Sequence, residues 1–282
     1  MKNLSDANVI KDIMTRHGFS FSKSLGQNFI IDPTVCPRIA EESGIDKDMG
    51  VIEIGSGIGV LTAELAKRAA KVVCIELDKR LLPVLDETLG EFDNVTVINA
   101  DVLKVDLHKI IEEQFGSMKV AVCANLPYYI TSPIIMMLLE SHLPIESITV
   151  MVQREAADRL CAEVGSRDAG AVTVAVDYYA KAEKLFNVSR GAFMPSPNVD
   201  SSVIKLELRD EPPVKVDDEK KFFRLVKSAF GQRRKTASNS ISSGMGIPKE
   251  QVISALERAG FDKSVRAESF TMEDFLKVSN EL

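Results

Sequence analysis

The tetrapeptide Asn125-Leu126-Pro127-Tyr128 directly follows an apolar run at 119–124. The side-chain carbonyl of Asn125 and the backbone carbonyl of Leu126 can accept hydrogen bonds from an exocyclic amino group, which localises the nitrogen lone pair. Pro127 fixes the backbone between these acceptors, and Tyr128 offers a flat face on which a flipped-out base can stack. A plain turn would use the same Asn and Pro, but the position straight after a strand favours chemistry. The motif therefore predicts methylation of the amino group of a flipped base, in DNA or RNA.

A glycine-rich turn follows an earlier apolar run and has the sequence Glu53-Ile54-Gly55-Ser56-Gly57-Ile58-Gly59. Glycines let the backbone turn sharply and approach a ligand closely. Such turns are common in α/β proteins, so this signal is weak by itself. A dinucleotide-binding fingerprint would place a third glycine at position 60, where this chain has Val60. We therefore give little weight to a dehydrogenase.

Acidic residues follow the next two apolar runs. Glu76 ends one of them, where a carboxylate can accept hydrogen bonds from two ribose hydroxyls. Asp101 follows the other, where a carboxylate can accept from the amino group of an adenine. Either acid alone could be a solvated residue at a strand end. Two of them beside a glycine turn predict a site for a nucleoside-containing ligand.

These candidate residues all require strands that end at one edge of a sheet. Short runs rich in Val and Ile predict strands at 51–54, 72–76, 95–99, 119–124 and 147–152. Segments with helical spacing between them predict helices at 60–70, 79–89, 106–115 and 133–141. Strands that alternate with helices indicate right-handed βαβ units and therefore a mostly parallel, Rossmann-like α/β sheet.

The chain changes character near residue 210. Residues 171–179 and 201–208 alternate without a long helix between them, which predicts antiparallel strands at the sheet edge. Consecutive prolines at 212 and 213 then interrupt the pattern, and helices are predicted at 218–229, 248–259 and 271–279. We expect a catalytic domain at 1–209, beginning with a helical segment, and a small helical domain at 210–282.

Composition indicates a globular protein with 45% hydrophobic and 27% charged residues. There is neither a signal-peptide pattern nor an apolar run long enough to span a bilayer, so a cytoplasmic location and no membrane partner are expected. The four cysteines and three histidines show no spacing typical of a metal site, and no metal is expected. Nothing in the sequence requires more than a monomer.

Basic charge is concentrated in one segment although the whole chain carries a net charge of −6. Residues 219–236 contain seven basic residues and one acid. Such a run is usually a solvated helix face, but a basic patch on an acidic body also fits a protein that meets RNA on one side.

Taken together, these motifs resemble the small-subunit ribosomal RNA adenine N6,N6-dimethyltransferases. The likeness runs from about residue 15 to 270 and includes three further segments. They are Lys23-Ser24-Leu25-Gly26-Gln27-Asn28-Phe29-Ile30, Phe193-Met194-Pro195-Ser196-Pro197-Asn198-Val199-Asp200-Ser201 and Phe230-Gly231-Gln232-Arg233-Arg234-Lys235-Thr236. The chain departs from the family at Ala169, where an aromatic residue is common.

The resemblance implies an S-adenosylmethionine-dependent enzyme that dimethylates two adjacent adenines near the 3′ end of small-subunit ribosomal RNA, within an immature subunit. It implies that the methyl donor contacts Asn28, Ile30, Gly55, Gly57, Glu76, Asp101 and Asn125. It also implies that Phe193 lines the base pocket. From the residues alone, Phe193 could equally be a core aromatic that anchors its loop. Basic residues of the C-terminal domain are expected to contact RNA backbone: Arg224, Lys227, Arg233, Arg234 and Lys235.

Two alternatives remain open from the sequence. The related antibiotic-resistance dimethyltransferases of large-subunit ribosomal RNA share the glycine turn and an Asn-x-Pro-Tyr core, although length and the 211–236 segment favour the small-subunit family. A non-catalytic ribosome-assembly checkpoint protein is the second, and the intact motifs at Gly55, Glu76, Asp101 and Asn125 speak against a complete loss of activity.

Overall fold

The computed structural model describes residues 3–22, 25–232 and 234–282. The chain divides into two compact units. The first covers the chain up to Ala157 together with Glu183–Leu208, and the second consists of Asp158–Ala182 and Arg209–Leu282. The second unit thus takes in a segment, 158–182, that the sequence analysis assigned to the catalytic domain.

The strands fall close to the runs of Val and Ile in the sequence. They are β1 (Phe29–Ile30), β2 (Met49–Ile54), β3 (Lys71–Glu76), β4 (Val95–Asn99), β5 (Lys119–Asn125), β6 (Ser147–Gln153), β7 (Ala180–Val188), β8 (Phe193–Met194) and β9 (Ser201–Leu208). Seven of them form one sheet in the order β4-β3-β2-β5-β6-β9-β7, and β1 pairs with β8 separately.

The main sheet is parallel from β4 to β6, and β9 is antiparallel to β6. The predicted fold class, a mostly parallel Rossmann-like sheet with an antiparallel edge, is confirmed. Strand order reverses beside β2, which pairs with β3 on one side and β5 on the other. Ligands of open α/β sheets bind in the crevice beyond the carboxyl ends of the strands at such a reversal. The fold therefore places a crevice between the ends of β2 and β5.

Helices connect the parallel strands and make up most of the second unit. They are α1 (Ala7–Arg16), α2 (Val35–Glu42), α3 (Val60–Ala66), α4 (Leu82–Leu89), α5 (Leu107–Phe115), α6 (Thr131–Glu140), α7 (Arg154–Leu160), α8 (Ala171–Tyr179), α9 (Glu219–Ala229), α10 (Ala237–Met245), α11 (Lys249–Arg258) and α12 (Met272–Glu281). In the part of the chain that the structure describes, no helix has the length and apolar character that a bilayer crossing requires.

The predicted strand at 171–179 is wrong, because these residues form α8. Its Val and Tyr residues favour strands intrinsically, but local propensity is weak when a segment is buried on several sides. Tyr178 and Tyr179 pack against the aromatic rings of α9, with ring centroids 5.8 Å apart for Tyr178–Phe222 and 5.4 Å for Tyr179–Phe223. Tertiary packing within the second unit thus stabilises a helix at 171–179, and the next strand, β7, begins at Ala180.

Helix α10 was not predicted, because its sequence, Ala-Ser-Asn-Ser-Ile-Ser-Ser-Gly-Met, is poor in helix formers. Its small residues serve packing instead. A Cβ atom at Gly244 would come within 2.6 Å of the Ser228 side chain on α9. The glycine therefore lets the two helices approach closely, and Gly246 ends α10 in a left-handed conformation with a φ of 71°.

Candidate functional site

A cavity of about 1060 Å³, counted with its open mouth, lies at the carboxyl ends of the parallel strands. Its lining includes every predicted donor-site residue and the whole predicted catalytic tetrapeptide: Asn28, Ile30, Gly55, Gly57, Glu76, Asp101, Asn125, Leu126, Pro127 and Tyr128. One cavity thus brings together residues that are separated by about a hundred positions in the chain.

The glycine turn forms one wall of this cavity. Gly55, Gly57 and Gly59 all have left-handed backbones, with φ values of 76°, 59° and 89°. A side chain would be strained at each of these positions, and a Cβ at Gly57 would lie 3.3 Å from the Phe29 ring. The hydroxyl oxygen of Ser56 is buried and has no hydrogen-bond partner within the described residues. Because buried polar atoms are normally paired, this orphan atom in the cavity lining indicates a place for a polar ligand.

Glu76 is held at the end of β3 by two backbone donors. Its Oε2 accepts from the Gly57 N–H at 2.9 Å, and its Oε1 accepts from the Asp78 N–H at 2.8 Å. Burial raises the pKa of the Glu76 carboxyl, and the backbone hydrogen bonds partly oppose that rise. Each carboxylate oxygen retains acceptor capacity after these bonds. The side chain is therefore oriented to accept two further hydrogen bonds, such as those of a vicinal diol.

Asp101 lies beyond the end of β4 and is only partly buried. Its Oδ1 accepts from the Leu103 N–H at 3.1 Å, and its Oδ2 lies 3.2 Å from the Lys104 ammonium. These local partners fix the carboxylate at the cavity edge. The Lys104 side chain is 81% exposed, so that ion pair contributes little stability and can yield to a ligand.

The loop before β1 is tied to the end of β3 through Gln27. The Gln27 amide oxygen accepts from the Ser22 N–H at 2.9 Å, and its nitrogen donates to Asp78 Oδ2 at 2.9 Å. Asn28 donates to the Gly26 carbonyl at 3.0 Å. Lys23 and Ser24 of the same motif lie outside the described residues. Because Asp78 also donates its N–H to Glu76, the loop and the glutamate form one connected network, which the sequence analysis did not foresee.

Hydrogen bonds hold the predicted catalytic tetrapeptide, Asn125–Tyr128, at both of its ends. Asn125 is the last residue of β5, and the Leu126 N–H donates to the Met151 carbonyl at 3.2 Å. The Tyr128 hydroxyl lies 2.6 Å from the Ser201 hydroxyl at the start of β9. Burial raises the pKa of the Tyr128 phenol. The hydrogen bond to Ser201 restrains the Tyr128 ring. In the sequence, the only indication of this contact was that Ser201 belongs to a motif shared with the family.

Phe193 does not line this cavity. It lies in β8 opposite Ile30, is 3% exposed and belongs to a hydrophobic core cluster. This burial agrees with the alternative of a core aromatic that anchors its loop. A role in the base pocket stays a prediction that would require movement of the ring.

The predicted RNA-contacting residues that the structure describes are exposed. Arg224 and Lys227 lie on the outer face of α9, and Arg234 and Lys235 lie in the turn before α10. Arg224 also donates to the Met245 carbonyl at 2.9 Å, so part of its guanidinium is used within the second unit. Arg233 lies outside the described residues.

Glu53 is a buried acid on β2 that the sequence analysis treated only as part of the glycine turn. The Cys74 thiol donates to its Oε2 at 3.5 Å. Burial raises the pKa of Glu53 to about 7, hydrogen bonds from Thr62 and Cys74 lower it in part, and the nearby Glu76 raises it further. The folded chain therefore keeps Glu53 protonated at pH values where an unfolded chain, with a glutamate pKa near 4.3, has lost the proton.

Replacing Glu53 by Gln is expected to flatten the pH dependence of stability. From about pH 4.3 to 7 the folded state holds the extra proton, so the free energy of unfolding falls as pH rises, by roughly 3–4 kcal/mol in total. A glutamine side chain at this position stays neutral, so the variant should not lose this part of the free energy of unfolding as pH rises. Urea unfolding at pH 5, 6, 7 and 8 measures the difference, with the exposed Glu91→Gln as control. Parallel curves for wild type and Glu53→Gln would contradict the assignment.

Comparisons with known proteins agree over the whole chain. The family model described as ribosomal RNA adenine dimethylase matches residues 18–282. The chain is 50% identical to ribosomal RNA small subunit methyltransferase A of Geobacillus thermodenitrificans, strain NG80-2, with 100% of this chain and 97% of that protein covered. Its counterpart of the same name in Bacillus mycoides, strain KBAB4, is 49% identical, with 100% and 98% covered.

Solved structures give the same result. A dimethyladenosine transferase from Plasmodium falciparum superposes with a TM-score of 0.72 at 26% identity and covers 89% of this chain and 95% of its own. The 23S rRNA methyltransferase ErmE superposes with a TM-score of 0.67 at 30% identity and covers 90% and 99%. The resemblance inferred from the motifs is confirmed: the chain belongs to the ribosomal RNA adenine dimethylase family.

Proposed function

We propose that this protein uses S-adenosylmethionine to dimethylate N6 of two adjacent adenines near the 3′ end of small-subunit ribosomal RNA, during ribosome biogenesis. Family membership makes it an rRNA adenine dimethyltransferase. The observation that carries the rest is the single cavity in which the Gly55–Gly59 turn and Glu76 meet the Asn125–Tyr128 tetrapeptide. Such a cavity can hold a nucleoside donor and a flipped base side by side.

The donor half of the cavity fits S-adenosylmethionine, which supplies an electrophilic methyl group when bound. Glu76 has acceptor capacity for two ribose hydroxyls, and Asp101 can accept from the adenine amino group. The left-handed glycines at 55 and 57 keep that wall free of side chains. The unpaired Ser56 hydroxyl can satisfy its hydrogen bond on the ligand.

In the acceptor half, the groups of the tetrapeptide act on the target adenine. The Asn125 carbonyl and the Leu126 carbonyl accept hydrogen bonds from N6 and localise its lone pair for attack on the methyl group. Tyr128, fixed by Ser201, stacks on the base. After one transfer N6 retains a single hydrogen, and a neutral Asn125 avoids leaving an unpaired charge in a partly dry site. A neutral Asn125 is therefore compatible with two successive transfers.

The choice of small-subunit RNA rests on the relatives. Proteins about half identical over their full length carry that subunit in their names, whereas the 23S rRNA enzyme is 30% identical. We propose further that the substrate is an immature small subunit, that the enzyme works as a monomer in the cytoplasm, and that it needs no metal.

The decisive experiment is incubation of the purified protein with S-adenosylmethionine and immature small subunits that lack the modification. Mass spectrometry of RNA fragments should then find N6,N6-dimethyladenine at two adjacent positions of the 3′ region. Large-subunit RNA from an unmodified strain serves as the matched alternative substrate. Methylation of that RNA alone would overturn the choice of substrate.

Contact with RNA backbone is proposed for the exposed basic residues of the second unit. Lys220, Arg224 and Lys227 recur every three or four residues along α9, so they share the face opposite the buried Phe222 and Leu225. Arg234 and Lys235 extend the positive charge beyond the end of the helix. Phosphate contacts by such residues release counterions and make affinity depend on salt.

Replacing Arg234 and Lys235 together by Gln is expected to weaken RNA binding and reduce the slope of log affinity against log salt by roughly 1–2. The matched control replaces Lys11 and Lys47, which are exposed residues of the first unit, by Gln. Binding to immature subunits measured between about 50 and 300 mM salt reports both slopes. An unchanged slope in the 234/235 variant would refute the assignment.

A further inference from the structure

Tyr129 is an exposed aromatic residue at the mouth of the cavity. It belongs to the short 3-10 helix Tyr128–Ile130 and is 55% exposed, whereas the neighbouring Leu126 is 1% exposed. Within the described residues, five large apolar side chains are exposed, and Tyr129 is the one aromatic among them. It also lines the same cavity as Asn125. An exposed aromatic ring that also lines a nucleotide-binding cavity can serve as a stacking surface for a base.

The ring of Tyr129 lies close to Gly26 along one edge. Gly26 has a left-handed backbone with a φ of 61°, and a Cβ there would lie 3.2 Å from Cδ1 and 3.3 Å from Cε1 of Tyr129. A side chain at Gly26 would therefore crowd this edge of the ring. Because this contact covers only one edge, much of the ring surface remains exposed at the entrance.

We propose that Tyr129 is a second stacking residue, which holds the base of a nucleotide next to the target adenine. The inference rests on the proposed function, because it needs an RNA strand whose target base has entered the cavity. Flipping one base removes a stacking partner from its neighbour. An aromatic ring one residue beyond Tyr128 can replace that partner, since every base has a face for stacking regardless of sequence. Tyr129 would then position the strand and would not touch the reacting atoms.

The alternative is that Tyr129 only closes the loop over the donor site through Gly26. Two variants separate these roles. Tyr129→Phe keeps the ring and the Gly26 contact, whereas Tyr129→Ala removes both. A structural role predicts that Tyr129→Ala weakens S-adenosylmethionine binding. A stacking role predicts that donor binding stays within twofold of wild type while the KM for RNA rises.

The test uses immature small subunits whose rRNA 3′ segment is joined from synthetic RNA, with either a normal or an abasic nucleotide on each side of the target. On normal RNA, Tyr129→Ala is expected to lower kcat/KM by about 5- to 100-fold, and Tyr129→Phe should stay within twofold. On one of the two abasic RNAs, wild type and Tyr129→Ala should become equal. Met118→Ala, an exposed apolar residue before the start of β5, is the matched control.

Each other outcome has a definite meaning. Equal activity of Tyr129→Ala and wild type on normal RNA would overturn the stacking role. So would a loss that persists on both abasic RNAs, or a parallel loss of donor binding measured by calorimetry. If the wild-type protein methylates none of these subunits, the proposed function itself fails and the role of Tyr129 fails with it. The wild-type reaction on normal RNA therefore tells the two failures apart.

Discussion

Replacing Asn125 by Ala should lower the rate of methyl transfer by roughly 10²- to 10³-fold, as the loss of one preorganised hydrogen-bonding group in an active site does. Alanine keeps β5 intact because the backbone pairing of residue 125 with Met151 does not involve the side chain. Without the amide carbonyl, the N6 lone pair stays delocalised into the adenine ring. The rate should therefore fall although the base can still enter and stack on Tyr128.

Single-turnover assays with enzyme in excess over immature subunits measure this effect free of product release. Binding of S-adenosylmethionine, measured by titration calorimetry, should be weakened only slightly. Asn280→Ala on the exposed side of α12 is the matched control and should leave the rate unchanged. Full activity of Asn125→Ala would eliminate the proposed mechanism, whatever the substrate.

The second large effect is expected at Glu76. Glu76→Gln replaces one carboxylate oxygen by an amide nitrogen, which then faces a backbone N–H of Gly57 or Asp78 as donor against donor. It also removes an acceptor that a ribose hydroxyl would use. Hydrogen bonds to charged groups contribute about 1.5–3 kcal/mol each, so the affinity for S-adenosylmethionine should fall by roughly 10²-fold.

The pH dependence of binding gives an independent check on Glu76. Burial raises its pKa, and protonation removes acceptor capacity, so the affinity of the wild type should fall as pH is lowered through that raised pKa. The Gln variant should not show this decrease. Calorimetric titrations from pH 5 to 8 measure both proteins, with Glu91→Gln as control. An unaltered affinity of Glu76→Gln at pH 8 would rule out the proposed ribose contact.

The parallel strands and the residues that follow them were predictable because buried parallel strands are continuous apolar runs. The predicted positions of β2 to β6 differ from the observed ones by at most two residues, and the cavity then follows from the rule for strand ends. Residues 171–179 show the limit of this signal. The same Val and Tyr side chains are compatible with a strand or with a buried helix. Packing against Phe222 and Phe223 determines that this segment is a helix.

Contacts between distant segments could not be predicted from local sequence patterns. The Tyr128–Ser201 hydrogen bond joins residues 73 positions apart, and the Gln27–Asp78 bond joins residues 51 apart. Residue types alone could not pair them, because serine, glutamine and aspartate are also ordinary surface residues. Phe193 illustrates the converse: a family motif suggested the base pocket, whereas the β1–β8 pairing buries the ring in the core.

The reversal of strand order beside β2 places the predicted site residues on two sides of the crevice. The glycine turn, Glu76 and Asp101 lie at the carboxyl ends of β2, β3 and β4, whereas Asn125 is the last residue of β5 and the partner of Tyr128 begins β9. Substitutions on the β5–β9 side are therefore expected to reshape the proposed base site while leaving Gly55, Glu76 and Asp101 in place.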